Sequence, residues 1–212
     1  MGRLSRCRDQ KNYRYVKKTG RLRTASVTRK KFPFDHFEDL NLLILHSSSE
    51  FMQTNTEVVT AFYTAFQKKD YANMNAQYAP AIIFSDPVFM VLQGDDVRDM
   101  WEMLCRNARD FELSFSDITE LDHEYVTCRW TASYTFSKTG RRVVNNVKAF
   151  MKLEDGGIIE HSDAFRLSTW IGQALGWKGV LFGWTGVMKR AVQKNARKNL
   201  ALFQEKKRNK SI

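Results

Sequence analysis

The 212-residue chain carries 34 Lys+Arg against 23 Asp+Glu, a formal charge of +11, with 43% hydrophobic and 13% aromatic residues. That apolar content can bury a core, which excludes disorder over most of the length, and the length suits one domain with extensions. The apolar run at residues 42–45 is far short of the ~20 residues a bilayer span needs, so no membrane span is expected.

Three cysteines, Cys7, Cys105 and Cys128, are odd in number and irregularly spaced. Neither a disulfide framework nor a zinc site is expected, and the default compartment is a reducing cytoplasm. The positive charge is unevenly placed. Residues 1–51 hold 12 Lys/Arg and 5 Asp/Glu, residues 187–212 hold 9 and 1, and residues 52–186 hold 13 and 17. The basic charge therefore sits in the tails, while a nucleic-acid footprint normally belongs to a folded face. Nucleic acid is not expected as a main partner, and binding of nucleic acid or an anionic membrane through the tails stands as a third, minor reading.

Residues 1–51 show neither apolar periodicity nor a secretory signal, and read as a disordered basic extension. An organelle-targeting peptide would share this composition. Met52 stands just before the first helix signal, and a start there is a further alternative.

The first helix is predicted at about 55–68, with Thr54 and Glu57 at capping-box spacing and Val58, Val59, Phe62 and Phe66 on one face. A second helix follows at about 70–78, stopped by Pro80. A short strand at 81–84 leads into the turn Ser85-Asp86-Pro87. A third helix spans about 95–109, with Asp95, Asp96 and Asp99 near its start and Arg106 and Arg109 near its end, as the helix dipole favours.

After Asp110 the period changes from 3.6 to 2. Strands are predicted around 111–115, 126–136, 143–153 and 159–167, with turns at Lys138-Thr139-Gly140 and Asp155-Gly156-Gly157. Helices first and then a four-strand antiparallel meander define an α+β fold, with one sheet face packed. Residues 172–186, with five glycines, Trp177 and Trp184, are expected to wrap an end of the sheet. A basic amphipathic helix is expected from Val187 to about Phe203. The domains are then a 1–51 extension, a 52–170 pocket domain, and a 171–212 segment.

His161 and Asp163 share strand parity with Ile159 and Phe165, on the face that should be buried. Burying a charge alone is costly, so these groups need each other, water or a ligand. Asn145 is likewise polar on an apolar face, and Asp86 occupies a turn before Pro87. Together with Trp130 and Tyr134 they suggest a polar-lined pocket in which a histidine–carboxylate pair could move protons. The competing reading is a satisfied polar cluster with no chemistry, and a turn cap for Asp86. Cys105 and Cys128 read as small core residues, the glycines make no phosphate loop, and the four histidines have no metal-ligand spacing.

The segments EVVTAFYTAFQKKDYANM, IIFSDPVF, GDDVRDMWEML and YTFSKTGRRVVNNVKAFMKLEDGGIIEHSDAF, in this order, resemble the SnoaL-like, ketosteroid-isomerase-like proteins of the nuclear transport factor 2-like superfamily. The resemblance runs over residues 54–170, and WIGQALGWKGVLFGW is similar to an uncharacterised bacterial subgroup. It implies a cone-shaped α+β fold, a curved antiparallel sheet wrapped around N-terminal helices, with a pocket, a C-terminal helical extension and commonly a homodimer.

In the steroid isomerases the aspartate of an Asp-Pro turn is the general base, and Asp86 has that place. The family's oxyanion-hole tyrosine falls on Phe62, beside Tyr63, and its second acid on Lys148 or Ala149. The donors for a dienolate are therefore missing. Cyclases and dehydrochlorinases of the superfamily use an acid or an acid–histidine pair, a role His161 and Asp163 could fill. The expectation is a cytoplasmic, dimeric pocket protein for a small apolar ligand, with no cofactor and no metal. If it is an enzyme, it is a cofactor-independent isomerase, cyclase or lyase. Asp86, His161 and Asp163 are then the proton-transfer candidates, and Asn145, Trp130, Tyr134, Tyr63, Trp101 and Phe165 line the ligand. The alternative is a non-catalytic binding or dimerisation module.

Overall fold

The structure, a computed structural model, describes residues 53–210, all within one unit of the chain, residues 49–212. The expectations for residues 1–51 and for Met52 lie outside the described residues. In chain order the elements are α1 (Asn55–Gln67), α2 (Tyr71–Ala76), β1 (Tyr78–Asp86), β2 (Met90–Gln93), α3 (Asp95–Asn107), β3 (Arg109–Glu120), β4 (Tyr125–Phe136), β5 (Arg141–Glu154), β6 (Gly157–Ala164), α4 (Leu167–Leu175), α5 (Trp177–Phe182) and α6 (Gly186–Lys210).

Local chemistry explains the helix boundaries. Thr54 and Glu57 form the expected capping box at the start of α1, satisfying two orphan backbone donors. Asp70 caps α2 by accepting from Asn73 N–H. That helix ends at Ala76, before Pro80 could terminate it. Pro80 instead lies inside β1, where the pairing with β6 shifts register between Tyr78 and Ile83. A residue without an N–H is tolerated in a strand where ladder bonding is interrupted.

The six strands form one sheet in the order β2-β1-β6-β5-β4-β3. The expected meander β3–β6 is present, with every neighbour antiparallel, but β1 runs parallel to β6. The sheet is therefore mixed, where the sequence suggested an antiparallel one. β2, too short to carry a clear period, hairpins onto β1 at the edge. Register shifts in β3 accompany positive φ at Asp110 and Asp117. Such bulges bend a strand and raise its twist, giving a curved, unclosed sheet.

Its concave side holds the core. Val58, Val59, Phe62, Tyr63 and Phe66 of α1 and Val97, Met100 and Trp101 of α3 pack against Ile82, Phe84, Trp130, Val147, Ala149, Met151 and Ile158 of the strands. Parity along β6 is broken once. The shift between Lys152 and Leu153 puts Ile158 inward, fully buried, and leaves Ile159 as the extra residue before Glu160. His161 and Asp163 keep the inward parity, but Ile159 does not share it fully.

Residues 167–182 form two short helices, α4 and α5. Thr139 Oγ1 donates to Ala174 O at 2.6 Å and Arg141 Nε to Gln173 O at 2.9 Å. The Gln173 amide also bonds both backbone groups of Val144. These bonds fasten α4 across the β4–β5 hairpin. The basic helix α6 docks through its own polar side chains. Lys207 Nζ reaches Asp99 at 2.8 Å and Glu102 at 2.6 Å on α3, while Leu200 is buried beneath it.

Candidate functional site

β1 and β6 lie side by side with Phe84 level with His161 and Ser85 level with Ser162. One further step brings Asp86 level with Asp163. Because alternate residues of a strand share a face, Phe84, Asp86, His161 and Asp163 all belong to the concave side. The Ser85 and Ser162 hydroxyls hydrogen-bond at 2.8 Å on the opposite side. The fold thus brings together the three residues singled out as proton-transfer candidates, from positions 77 residues apart in the case of Asp86 and Asp163.

His161 is 1% exposed. Its ring stacks on Trp101 at 6.0 Å and 20°, and meets Phe62 and Phe84 edge-on at 5.4 and 5.2 Å. Both ring nitrogens are engaged: Nδ1 with the Tyr78 hydroxyl at 2.7 Å and Nε2 with Asp163 Oδ1 at 3.1 Å. Trp101 Nε1 donates to the Tyr78 oxygen at 2.9 Å, and Trp130 Nε1 donates to Asp163 Oδ1 at 3.2 Å. One proton assignment satisfies this chain. Tyr78 O–H donates to Nδ1, and Nε2–H donates to the carboxylate. The interior around His161 is filled by aromatic rings, whereas the sequence suggested that it faces a pocket.

Tyr78 is the member that sequence reasoning missed. An aromatic at the start of a strand carries no signal that its hydroxyl will meet a histidine 83 residues away. Burial, followed by the negative charge of Asp163, raises the phenols of Tyr63 and Tyr78 well above their ordinary range. The Tyr63 hydroxyl is fully buried beside the Trp130 indole, with no standard hydrogen bond among the described residues. Cys128 is a buried thiol pushed up to about 12 by desolvation, in keeping with a core role.

Asp86, unlike His161, is held by backbone N–H groups of its own turn. Its Oδ1 accepts from the backbone N–H groups of Val88 and Phe89, and the Met90 N–H also favours the carboxylate. Burial pushes its carboxyl up to about 7, opposed by the Phe89 N–H bond and reinforced by the charge of Asp163. The turn is held from outside by α6. Gln193 Nε2 donates to Pro87 O at 3.1 Å, and Arg197 donates to Phe89 O and Val91 O at 3.1 and 3.0 Å.

The remaining lining candidates divide. Trp101 and Trp130 belong to the buried network, Phe165 is half-buried against the core, and Asn145 is half-buried on the inner face level with Ala132. Tyr134 is drawn elsewhere, since its hydroxyl accepts from Trp170 Nε1 at 2.7 Å. Two open depressions, one along α1 at Thr60 and Lys68 and one beside α4 at Arg141 and Gln173, do not include Asp86, His161 or Asp163. Among the described residues no group of three His, Cys, Asp or Glu is placed to hold a metal.

A curved, unclosed sheet packed against helices, with an inward carboxylate pair on adjacent strands, defines a class of small α+β folds. Residues 59–161 match the family model of the SnoaL-like domain. Over those residues, just under half of its length, the chain is similar to the SnoaL-like domain. No curated protein matches the sequence.

Solved structures share the fold. A nuclear transport factor 2-like protein of Burkholderia thailandensis is 22% identical, covering 58% of this chain and 98% of its own, with a TM-score of 0.51. A protein of ketosteroid-isomerase-like fold from Catenulispora acidiphila, in complex with trimethylamine, is 13% identical over 57% and 94%, also at 0.51. TerC, co-crystallised with polyporic acid, is 15% identical over 57% and 98%, again at 0.51. At these identities the likeness carries the fold alone.

Proposed function

We propose that this protein is a cytoplasmic small-molecule pocket protein that performs cofactor-free proton transfer, with Asp86 as the general acid or base. The observation that carries the proposal is the Asp86 carboxyl, inward on the strand beside His161 and raised to about 7 by burial. A group titrating near the working pH offers the best compromise between correct protonation state and driving force. Isomerisation, cyclisation and elimination on a small apolar substrate all need only this step. Burial holds the raised value and the charge of Asp163 adds to it, while His161, bonded to Asp163, is a positioning residue.

A substrate-independent probe tests this. 5-Nitrobenzisoxazole is a small apolar ring that opens when a base removes its one acidic C–H proton. The wild type should open it faster than buffer, with a rate that rises through a midpoint of about 7. Asp86→Asn keeps an oxygen for the Val88 and Phe89 N–H groups and should lower the rate by roughly 10²–10⁴. No rate above buffer, or equal rates in the two proteins, would refute the proposal.

The second reading, a non-catalytic binding module, is favoured by the filled surroundings of His161. It requires that the probe bind without turning over.

The chain is also read as a homodimer through the convex face of β3–β6. Exposed Val144 and Phe150 stand there among Arg129, Thr131 and Ser133, an uncovered sheet face with apolar points. Sedimentation over a concentration series should show a monomer–dimer equilibrium shifted toward monomer by Phe150→Lys. A monomer at every concentration contradicts it.

A further inference from the structure

Residues 177–187 expose an apolar surface that a folded chain does not leave in water without cause. Trp177 is 68% exposed, Val180 70%, Trp184 72% and Val187 71%, with Leu181 and Phe182 beside them at 55% and 52%. The outward face is built in. Trp177, Val180, Leu181 and Trp184 follow the i, i+3, i+4, i+7 spacing of one helical face, while Gly179 and Gly183 are buried on the other. A Cβ at Gly179 would stand 2.2 Å from Ile171 O, so α5 presses against α4 as only glycine permits. Gly176, at φ +67, makes the sharp turn between the two helices.

Charge supplies the second, independent observation. From Ala164 to Gln204 the sequence has seven Lys/Arg and no Asp or Glu. Lys178 flanks the apolar face, and Arg190, Lys194 and Lys198 extend from it along α6 at i, i+4, i+8, all exposed. This contrasts with the far end of α6, whose Lys207 is paired with α3.

We propose that this face docks on the surface of an anionic phospholipid membrane. Tryptophans with apolar neighbours sit well at the headgroup–acyl boundary, and a basic rim adds roughly 1 kcal/mol per Lys or Arg near an anionic leaflet. No helix among the described residues is long and apolar enough to cross a bilayer, so the contact is peripheral. A second copy of the chain is the poorer occupant. A two-fold interface would bring Lys178, Arg190, Lys194 and Lys198 of both copies together with no acid in the segment to offset them. On the membrane, α6 would tie the docked face to the Asp86 turn through Gln193 and Arg197.

Flotation of the full chain with phosphatidylcholine vesicles, with and without phosphatidylglycerol, tests the proposal. The wild type should float with the anionic vesicles at least about tenfold more than with neutral ones, lose binding when salt shortens the screening length to ~3–4 Å, and shift its tryptophan emission to the blue. The double variant Trp177→Ser with Trp184→Ser, checked for intact circular dichroism, should lose at least about tenfold of the binding. Lys194→Glu with Lys198→Glu should act in the same direction. Equal flotation with both vesicle types overturns the proposal. So does binding unchanged in both double variants, which would place it in the basic residues 1–51. A tryptophan pair whose loss turns a dimer into a monomer while vesicles never bind assigns the face to a second copy and overturns it as well.

Discussion

Replacing His161 by alanine should destabilise the protein by roughly 3–5 kcal/mol, more than any other single change in the cluster. The imidazole fills space between Trp101, Phe62 and Phe84, so its removal leaves a cavity that rigid aromatic rings cannot close. It also strands two buried polar groups, the Tyr78 hydroxyl and the Asp163 carboxylate. At this chain length ~1 kcal/mol corresponds to ~2–4 °C, so thermal melts should fall by about 10 °C. Tyr78→Phe removes the hydroxyl alone and should cost about 1–2 kcal/mol, leaving Trp101 N–H and His161 Nδ1 without their partner. The two substitutions should be strongly non-additive because they share one network. A His161→Ala protein of near-wild-type stability that fails to bind ligand would show that the ring faces a pocket.

Asp86→Asn should stabilise the protein at alkaline pH and leave it near wild type in acid. The folded carboxyl is raised from 3.8 to about 7. Between those values the folded state holds a proton that the unfolded chain releases, so wild-type stability falls as pH rises through the window. The benefit of the protonated acid is complete below about 4 and gone above about 7. Each unit is worth ~1.4 kcal/mol, and the half-buried position keeps part of its hydration, so the variant should gain about 1–3 kcal/mol over wild type between pH 4 and pH 8. Paired urea titrations at the two pH values measure it, and other titrating groups cancel in the difference. A constant difference, or a wild type that gains on the variant with rising pH, would contradict a raised Asp86. The same proton governs the proposed chemistry. The base form that accelerates turnover is the form that costs stability, an opposition expected where a site holds a group against its preferred state.

Much of the molecule was legible from residue order, because the signals were local. Thr54 and Glu57 announced α1 through a bond that spans three residues, and the change from period 3.6 to 2 after Asp110 marked the sheet. Alternation placed His161 and Asp163 inward on β6 from strand geometry alone. The Asp86 turn carried its own chemistry, since the carboxylate accepts the N–H groups that follow it.

What the tertiary structure decided lies in contacts between distant residues. The parallel pairing of β1 with β6 has no local signature, yet it buries the Asp86 carboxyl, which raises it, and adds the charge of Asp163. The bulge that turns Ile158 inward depends on how β5 and β6 meet. Parity could show that His161 is buried, but not what it faces. Four aromatic side chains and Asp163 close around it, from segments whose spacing carries no trace of one another. The sequence marked residues 172–186 as rich in glycine and tryptophan. Only the packing of Gly179 against Ile171 determined that Gly179 and Gly183 face in while Trp177 and Trp184 face water. Periodicity reports which side of an element is buried, while the partner on that side is chosen by the global arrangement of the chain.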